Sequence, residues 1–258
     1  MAEGPVLELR GVSKSFGAVQ ALDGVDFDVR EGEVMALVGD NGAGKSTLIK
    51  CVAGIHAING GEIRFDGDVV TIGGPKDSAA LGIEVVYQDL ALCDNLDVVQ
   101  NMYLGREHLG PLRRLDELAM EQTARETLKG LAVTTLKSVR QTVAGLSGGQ
   151  RQSVAVAKAV MWNSRVVILD EPTAALGVAQ TRQVLDLVKR LGHQGLAVVI
   201  VSHNLSDVFE VADRITVLRL GRDVAKFRVA DTSQQQVVEA ITSGTPAERG
   251  DAVEAAPA

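Results

Sequence analysis

The stretch that most constrains this 258-residue chain is Gly39–Thr47, GDNGAGKST. It holds G-x-x-x-x-G-K-[ST] at Gly39, Gly44, Lys45 and Ser46. The aliphatic run Glu33–Val38 precedes it, and Lys45–Ala53 after it reads as a helix. A strand, a glycine-rich turn and a helix in that order make a phosphate cradle. Glycines let successive backbone N–H groups turn inward, and the helix N-terminus adds the positive end of its dipole. Gly39, Asp40, Asn41, Gly42, Ala43 and Gly44 are the expected cradle. Lys45 is expected to reach the β- and γ-phosphates, and Ser46 to hold Mg²⁺, with Thr47 beside it in the nucleotide site.

The rest of the chain has the period of an α/β fold. Glu33–Val38, Glu84–Val86, Val166–Leu169 and Leu196–Val201 read as buried strands, most of them near-continuous apolar runs. Between them, Thr181–Leu191 places Val184, Leu187, Val188 and Leu191 on one helical face, with Gly192 as the expected stop. Such alternation implies βαβ units in a mostly parallel sheet. Val6–Leu9 and Gly24–Arg30 alternate apolar and polar residues, the pattern of antiparallel strands at one edge, and Glu62–Phe65 is a further short strand. Leu115–Leu131 is charged and helical and breaks the strand rhythm. The expected organisation is one nucleotide-binding domain over 1–241, with a helical subdomain inserted at about 90–163. A disordered tail of Ala, Gly, Pro and charge is expected over 242–258.

Charge excludes some partners. Lys and Arg number 26 against 33 Asp and Glu, a net −7 with no basic run, so neither nucleic-acid coating nor a polybasic membrane anchor is expected. No apolar run approaches the roughly 20 residues of a membrane span. The first residues, MAEGPVLELR, lack the basic and apolar regions of a signal peptide. Cys51 and Cys93 fit no metal spacing, which is compatible with a reducing cytoplasm.

Two more segments carry chemistry. Val166–Glu171, VVILDE, is an aliphatic strand ending in two carboxylates. Asp170 is the expected metal-side acid, and Glu171, one residue on, is placed to act as general base for an attacking water. Leu146–Gln152, LSGGQRQ, is a glycine-rich turn before a small-residue helix over Ser153–Trp162. By itself it reads as an ordinary N-capped helix.

With LSGGQ just upstream of VVILDE and about a hundred residues past the phosphate loop, the chain resembles the nucleotide-binding subunit of an ATP-binding-cassette (ABC) ATPase, from about Val6 to Arg228. The resemblance implies further roles. Phe16 matches the aromatic that stacks on adenine, and Gln88 the glutamine that touches Mg²⁺ and the water. His203 matches the switch histidine beside the γ-phosphate. Ser147, Gly148, Gly149 and Gln150 are implied to cover ATP held by a second ATPase subunit, so that a homodimer has two competent sites. Family members usually read Ser-Ala-Leu-Asp where this chain has Ala174, Ala175, Leu176 and Gly177, so the acidic residue of that inter-subunit loop is absent.

The runs TAALGVAQT and SHNLSDVFEVADRITVLRLGR further resemble the ATPases of bacterial monosaccharide importers. That implies a polytopic transmembrane permease as partner, a secreted sugar-binding protein beyond it, and a place on the cytoplasmic face of the membrane. Some sugar-importer ATPases carry a large C-terminal regulatory domain, and none is expected in the residues after Arg228. The loop Gln88–Arg106 is expected to dock a cytoplasmic helix of the permease. Asp89, Asp94, Asp97 and Glu107 make that neighbourhood acidic, so the partner is expected to offer Lys or Arg. The alternatives are an ATPase of an amino-acid or other importer, a soluble ABC protein of repair, translation or cluster assembly, and a scaffold that binds ATP without cleaving it.

Overall fold

The computed structural model describes residues 4–110 and 113–244. Its strands are β1 (Leu7–Phe16), β2 (Val19–Val29), β3 (Val34–Val38), β4 (Gly60–Phe65), β5 (Asp68–Val70), β6 (Ile83–Val86), β7 (Val166–Asp170), β8 (Ala197–Val201), β9 (Arg214–Arg219) and β10 (Arg222–Arg228). The helices are α1 (Lys45–Val52), α2 (Pro75–Ala80), α3 (Val98–Tyr103), α4 (Glu117–Gly130), α5 (Gly148–Val160), α6 (Val178–His193), α7 (Leu205–Val211) and α8 (Gln234–Ser243).

Six strands form the core sheet in the order β10-β9-β3-β8-β7-β6. Neighbours from β9 to β6 run parallel, and β10 closes the edge antiparallel to β9. Alternate residues of the buried strands feed opposite faces. On one face Val34, Ala36, Val38, Leu169, Val198 and Ile200 meet the larger helices. On the other, Met35, Leu37, Ile168, Val199 and Val201 meet α1 and a second sheet. Each fully buried Val, Leu or Ile contributes about 1.5–3 kcal/mol. The loops at the C-terminal ends of β3, β7 and β8 therefore hang from the best-anchored part of the molecule.

The antiparallel strands expected at a sheet edge form a sheet of their own, ordered β2-β1-β4-β5. Leu7, Leu9, Val25, Phe27, Val29, Ile63 and Phe65 all point to one buried face, which packs as a layer over the core sheet.

Two boundaries differ from expectation. Gly192 does not stop its helix, because α6 runs to His193. A Cβ on Gly192 would lie 3.0 Å from Val34 Cγ2, so this glycine allows close packing on β3, and Gly195 at φ +92 follows as the turn. At the C-terminal end, α8 includes Thr242 and Ser243, and Gly244 caps it at φ +69. The remainder of the expected tail lies outside the described residues.

Between β6 and β7 the longest described elements are helices. Asp97 and Gln100 cap α3 reciprocally, Asp116 caps α4, and Ser147 and Gln150 cap α5. Met120, Ala124 and Leu128 of α4 form one buried stripe in the same core as Met102 and Tyr103 of α3.

Candidate nucleotide site

The site is assembled where the parallel strands end. Register places Leu37 of β3 beside Val201 of β8, and Asp170 of β7 beside Val201 from the other side. Gly39, Glu171 and His203 therefore leave the sheet at neighbouring points. Val86 of β6 pairs with Leu169, which brings Gln88 level with Glu171 one strand further out. Open α/β sheets bind ligands at this end.

The Gly39–Gly44 turn is built on backbone that residues with a Cβ resist. Gly39, Gly42 and Gly44 have φ of 150, 80 and 109°. A Cβ on Gly39 would sit 2.1 Å from the Leu218 carbonyl oxygen, and one on Gly44 2.9 Å from that of Ala21. The loop is thus clamped between β2 and β9. Gly44 opens α1 without a side-chain cap, leaving first-turn N–H groups free for an anion. Ser46 is exposed and Thr47 half-buried in that turn, while Asp40 and Asn41 are exposed beside it.

Lys45 is 8% exposed, and its Nζ donates to the Gly39 carbonyl at 2.5 Å and the Asp40 carbonyl at 3.1 Å. Burial pushes its pKa below the ordinary lysine value, against the pull of Glu171, Asp170 and Asp40. Burial, then the Glu171 charge, raises the carboxyl of Asp170, which Lys45 and Lys50 oppose. A half-buried carboxylate held this way is suited to a cation. No group of three or more His, Cys, Asp or Glu among the described residues makes a metal cage. Ser46, Gln88 and Asp170 are hard oxygen donors, which fits Mg²⁺ taking the rest of its ligands from phosphate and water.

Glu171 has φ +51°, a conformation that costs a residue with a Cβ about 1–2 kcal/mol. Its N–H donates to the Val201 carbonyl at 2.9 Å, fixing the turn after β7. The side chain is 16% exposed and lies 2.9 Å from His203 Nδ1, whose ring is 70% exposed. An ionised carboxylate only accepts, so the ring donates from Nδ1. His203 also lines a cavity of about 210 Å³ together with Val38, Gly39, Asp40, Asn41, Leu205 and Ile241. Thr173 Oγ1 donates to Asp207 Oδ2 at 2.6 Å, tying the turn after Glu171 to α7. Asp207 is buried, and as a lone acid in SHNLSD it carried no signal in the sequence.

Phe16 ends β1 with 45% of its surface exposed, which is not a core position. Lys14 Nζ lies 5.1 Å from its centroid, and the His56 ring meets it edge-on at 5.0 Å. Sequence reading passed over Lys14 and His56 because they are far from Phe16 or unmarked in the chain. Gln88 is exposed and makes no hydrogen bond among the described residues.

Ser147–Gln150 is on a separate element. The Ser147 N–H donates to Gln150 Oε1 at 2.9 Å, and the Gln150 amide donates to the Thr135 carbonyl at 2.7 Å. A Cβ on Gly148 would meet Leu176 at 2.8 Å, and one on Gly149 would meet Gln180 at 3.1 Å. These glycines therefore let the turn press on the start of α6. Gly177, at the position where the family usually has an acid, opens α6 with no side-chain cap. Asp89, Asp94, Asp97 and Glu107 are engaged locally for the most part. Asp94 pairs with Arg151 at 2.8 Å, Asp97 caps α3 and reaches Arg140 at 3.4 Å, and Glu107 accepts the Gly105 N–H at 2.9 Å.

No helix among the described residues is long and apolar enough to cross a membrane. The ABC transporter family profile matches residues 22–174. The fructose import ATP-binding protein of Rhizobium meliloti is 46% identical over 94% of this chain and 95% of its own length. The xylose/arabinose import ATP-binding protein of Sulfolobus acidocaldarius is 44% identical, covering 92% of this chain and 94% of that one. A ribose import ATP-binding protein of Rubrobacter xylanophilus is 45% identical over 91% of this chain, which spans only 46% of that longer protein. Among solved structures, an ATP-binding cassette of an ABC transporter superposes with a TM-score of 0.80 at 28% identity, covering 91% of this chain and 98% of that one. A dimeric cassette bound to ADP and phosphate superposes at 0.71 with 25% identity, covering 86% and 98%. With a glycine cradle, a buried lysine and a strand-end carboxylate pair on this fold, the chain belongs to the ABC transporter family as a nucleotide-binding ATPase.

Proposed function

We propose that this chain hydrolyses ATP to energise import of a simple sugar through a separate transmembrane permease. The observation that carries the reading is the meeting of the Gly39–Ser46 loop, Asp170–Glu171 and His203 at one sheet end, in a chain whose relatives act in import of fructose, xylose/arabinose and ribose.

In this reading the N–H groups of residues 39–44 and the Lys45 ammonium take the β- and γ-phosphates, while the exposed ring of Phe16 stacks on adenine. Ser46, Gln88 and Asp170 hold Mg²⁺, which when bound offsets phosphate charge. Glu171 accepts a proton from water as the water oxygen bonds to the γ-phosphorus and the bond to ADP breaks. His203 orients that carboxylate through Nδ1–H. Ser147, Gly148, Gly149 and Gln150 complete the site of a second copy, so ATP between two chains holds them together and hydrolysis releases them. The dimeric cassette among the structural neighbours supports this arrangement.

The loop after Gln88 carries closure to the permease on the inner face of the membrane, and a secreted sugar-binding protein delivers substrate from outside. A deletion strain tests the reading. It should lose growth on one or a few simple sugars and keep amino-acid uptake. Normal growth on every sugar with a defect in amino-acid uptake would assign the chain to an amino-acid importer instead.

A further inference from the structure

Phe16 stands at the end of β1, and its ring is held by two residues that the nucleotide reading leaves without a role. Lys14 Nζ lies over the ring, 5.1 Å from its centroid, and the His56 ring meets it edge-on at 5.0 Å and 76°. Both contacts are attractive, because a ring is electron-rich on its face and electron-poor at its edge. The register of β1 on β2 shifts between Val12 and Lys14, and again between Lys14 and Ser15. Such irregularities re-aim side chains, and these lie where Lys14 and Phe16 come together.

The two supports are themselves anchored. Lys14 Nζ donates to the Ala57 carbonyl at 2.7 Å, and no carboxylate pairs with it among the described residues. The N–H groups of Ile55 and His56 both donate to the Lys50 carbonyl, at 2.9 and 3.1 Å, so His56 leaves directly from the last turn of α1. Gly54 sets that exit at φ +73, where a Cβ would lie 2.4 Å from the Gly74 carbonyl oxygen. Asn59 then ties the segment to β1 twice. Its N–H donates to the Ser13 carbonyl at 2.8 Å, and its side-chain oxygen accepts the Ser15 N–H at 2.8 Å. Helix α1, Lys45–Val52, therefore has the glycine turn at its start and the supports of the Phe16 ring at its end.

A ring with an ammonium over one face has its other face to offer, and Phe16 keeps 45% of its surface exposed. The ammonium also draws π density toward itself, which leaves the open face better suited to the electron-rich surface of a purine. We infer that Lys14 and His56 are positioning residues for the base of the nucleotide. They fix the Phe16 ring and bind it to the end of α1, so that base and phosphates are held at a set separation. This rests on the reading of Phe16 as the ring that stacks on adenine. Lys14 acts through that ring and not by attracting the triphosphate, and the two routes give different results when the ring is removed.

The test is a double-mutant cycle on ATP affinity, read by titration calorimetry with the full chain and Mg²⁺. Phe16→Ala should weaken ATP binding about tenfold or more, as loss of one base stack does. Lys14→Met keeps the length of the side chain without its charge and should weaken binding about 3–10-fold. Lys14→Arg should restore most of that loss, because a guanidinium can lie over the ring and still donate to the Ala57 carbonyl. His56→Ala should weaken binding about two- to threefold, and His56→Phe should recover it by keeping an edge-on ring. On the Phe16→Ala background, Lys14→Met should change the affinity by less than about twofold. Parental affinity in Lys14→Met overturns the inference. So does a loss of the same size with and without the Phe16 ring, which would mean that Lys14 acts on the phosphates or on the fold at large. Parental affinity in Phe16→Ala is a different failure, because it removes the stacking reading itself.

Discussion

The Gly39–Gly44 loop and the Ser147–Gly149 turn are both glycine-rich, and each opens a helix. They use glycine for opposite reasons. In the first, three glycines hold positive φ, two of them are hemmed in by carbonyl oxygens of β2 and β9, and α1 starts with no side-chain cap. The conformation and the free N–H groups are the purpose. In the second, Gly148 and Gly149 are ordinary helical residues, and Ser147 and Gln150 already satisfy one another. There the missing Cβ gives close contact with Leu176 and Gln180 at the head of α6. In the proposed reading the first turn takes phosphate within the chain, and the second, satisfied and tightly seated, meets a second chain.

Substitutions can break or sharpen that contrast. The largest effect is expected from Ser147→Arg, which should lower ATP hydrolysis by about 10²–10³-fold, as loss of a charge-stabilising contact does. Its single-chain ATP affinity should match the parent in nucleotide titrations. Lys45→Ala should do the reverse at the binding step, weakening ATP by about 10–100-fold for the lost charge-assisted bonds. Equal loss of binding in both variants would erase the distinction. A smaller contrast lies in stability. Gly44→Ala should cost about 1–3 kcal/mol in denaturant unfolding, from strain at φ +109°. Gly148→Ala meets only the far ends of the Leu176 and Gln180 side chains and should stay within about 1 kcal/mol of the parent. Smallest is Gly177→Asp. Gly177 has the extended backbone an N-cap needs, so an acid there should add about 0.3 kcal/mol and raise the melting midpoint by about 1 °C.

Much of this was legible in the chain, for physical reasons that differ by element. β3, β7 and β8 are wholly or almost wholly buried, so their aliphatic runs announce them, and the motifs that follow them inherit that position. β9 and β10 were passed over, since arginines bound the short buried centre of Arg214–Arg219, and Arg222–Arg228 carries charge at its ends and in its middle. The antiparallel strands were visible by alternation, but alternation does not say whether they extend the core sheet or cover it. Gly192 looked like a stop because a helical glycine is costly, and only its contact with Val34 explains why it is tolerated. At the site, Lys45, Asp170, Glu171 and His203 stand in motifs. Asp207 and His56 do not, and they acquire meaning only from what the fold sets beside them. The acidic residues near Gln88 show in the sequence as charges, and only the structure shows that Asp94 and Asp97 are paired with arginines.

The central claim is that one ATP is shared by two copies, with Glu171 as the base that ends the sharing. Light scattering after size exclusion tests it on Glu171→Gln, a variant expected to bind ATP while hydrolysing it about 10²–10⁴-fold more slowly. With ATP and Mg²⁺ the variant should run at twice the mass it has without nucleotide, and adding Ser147→Arg to it should return it to the single-chain mass. A mass that does not change with ATP, whether one chain or two, would contradict the account.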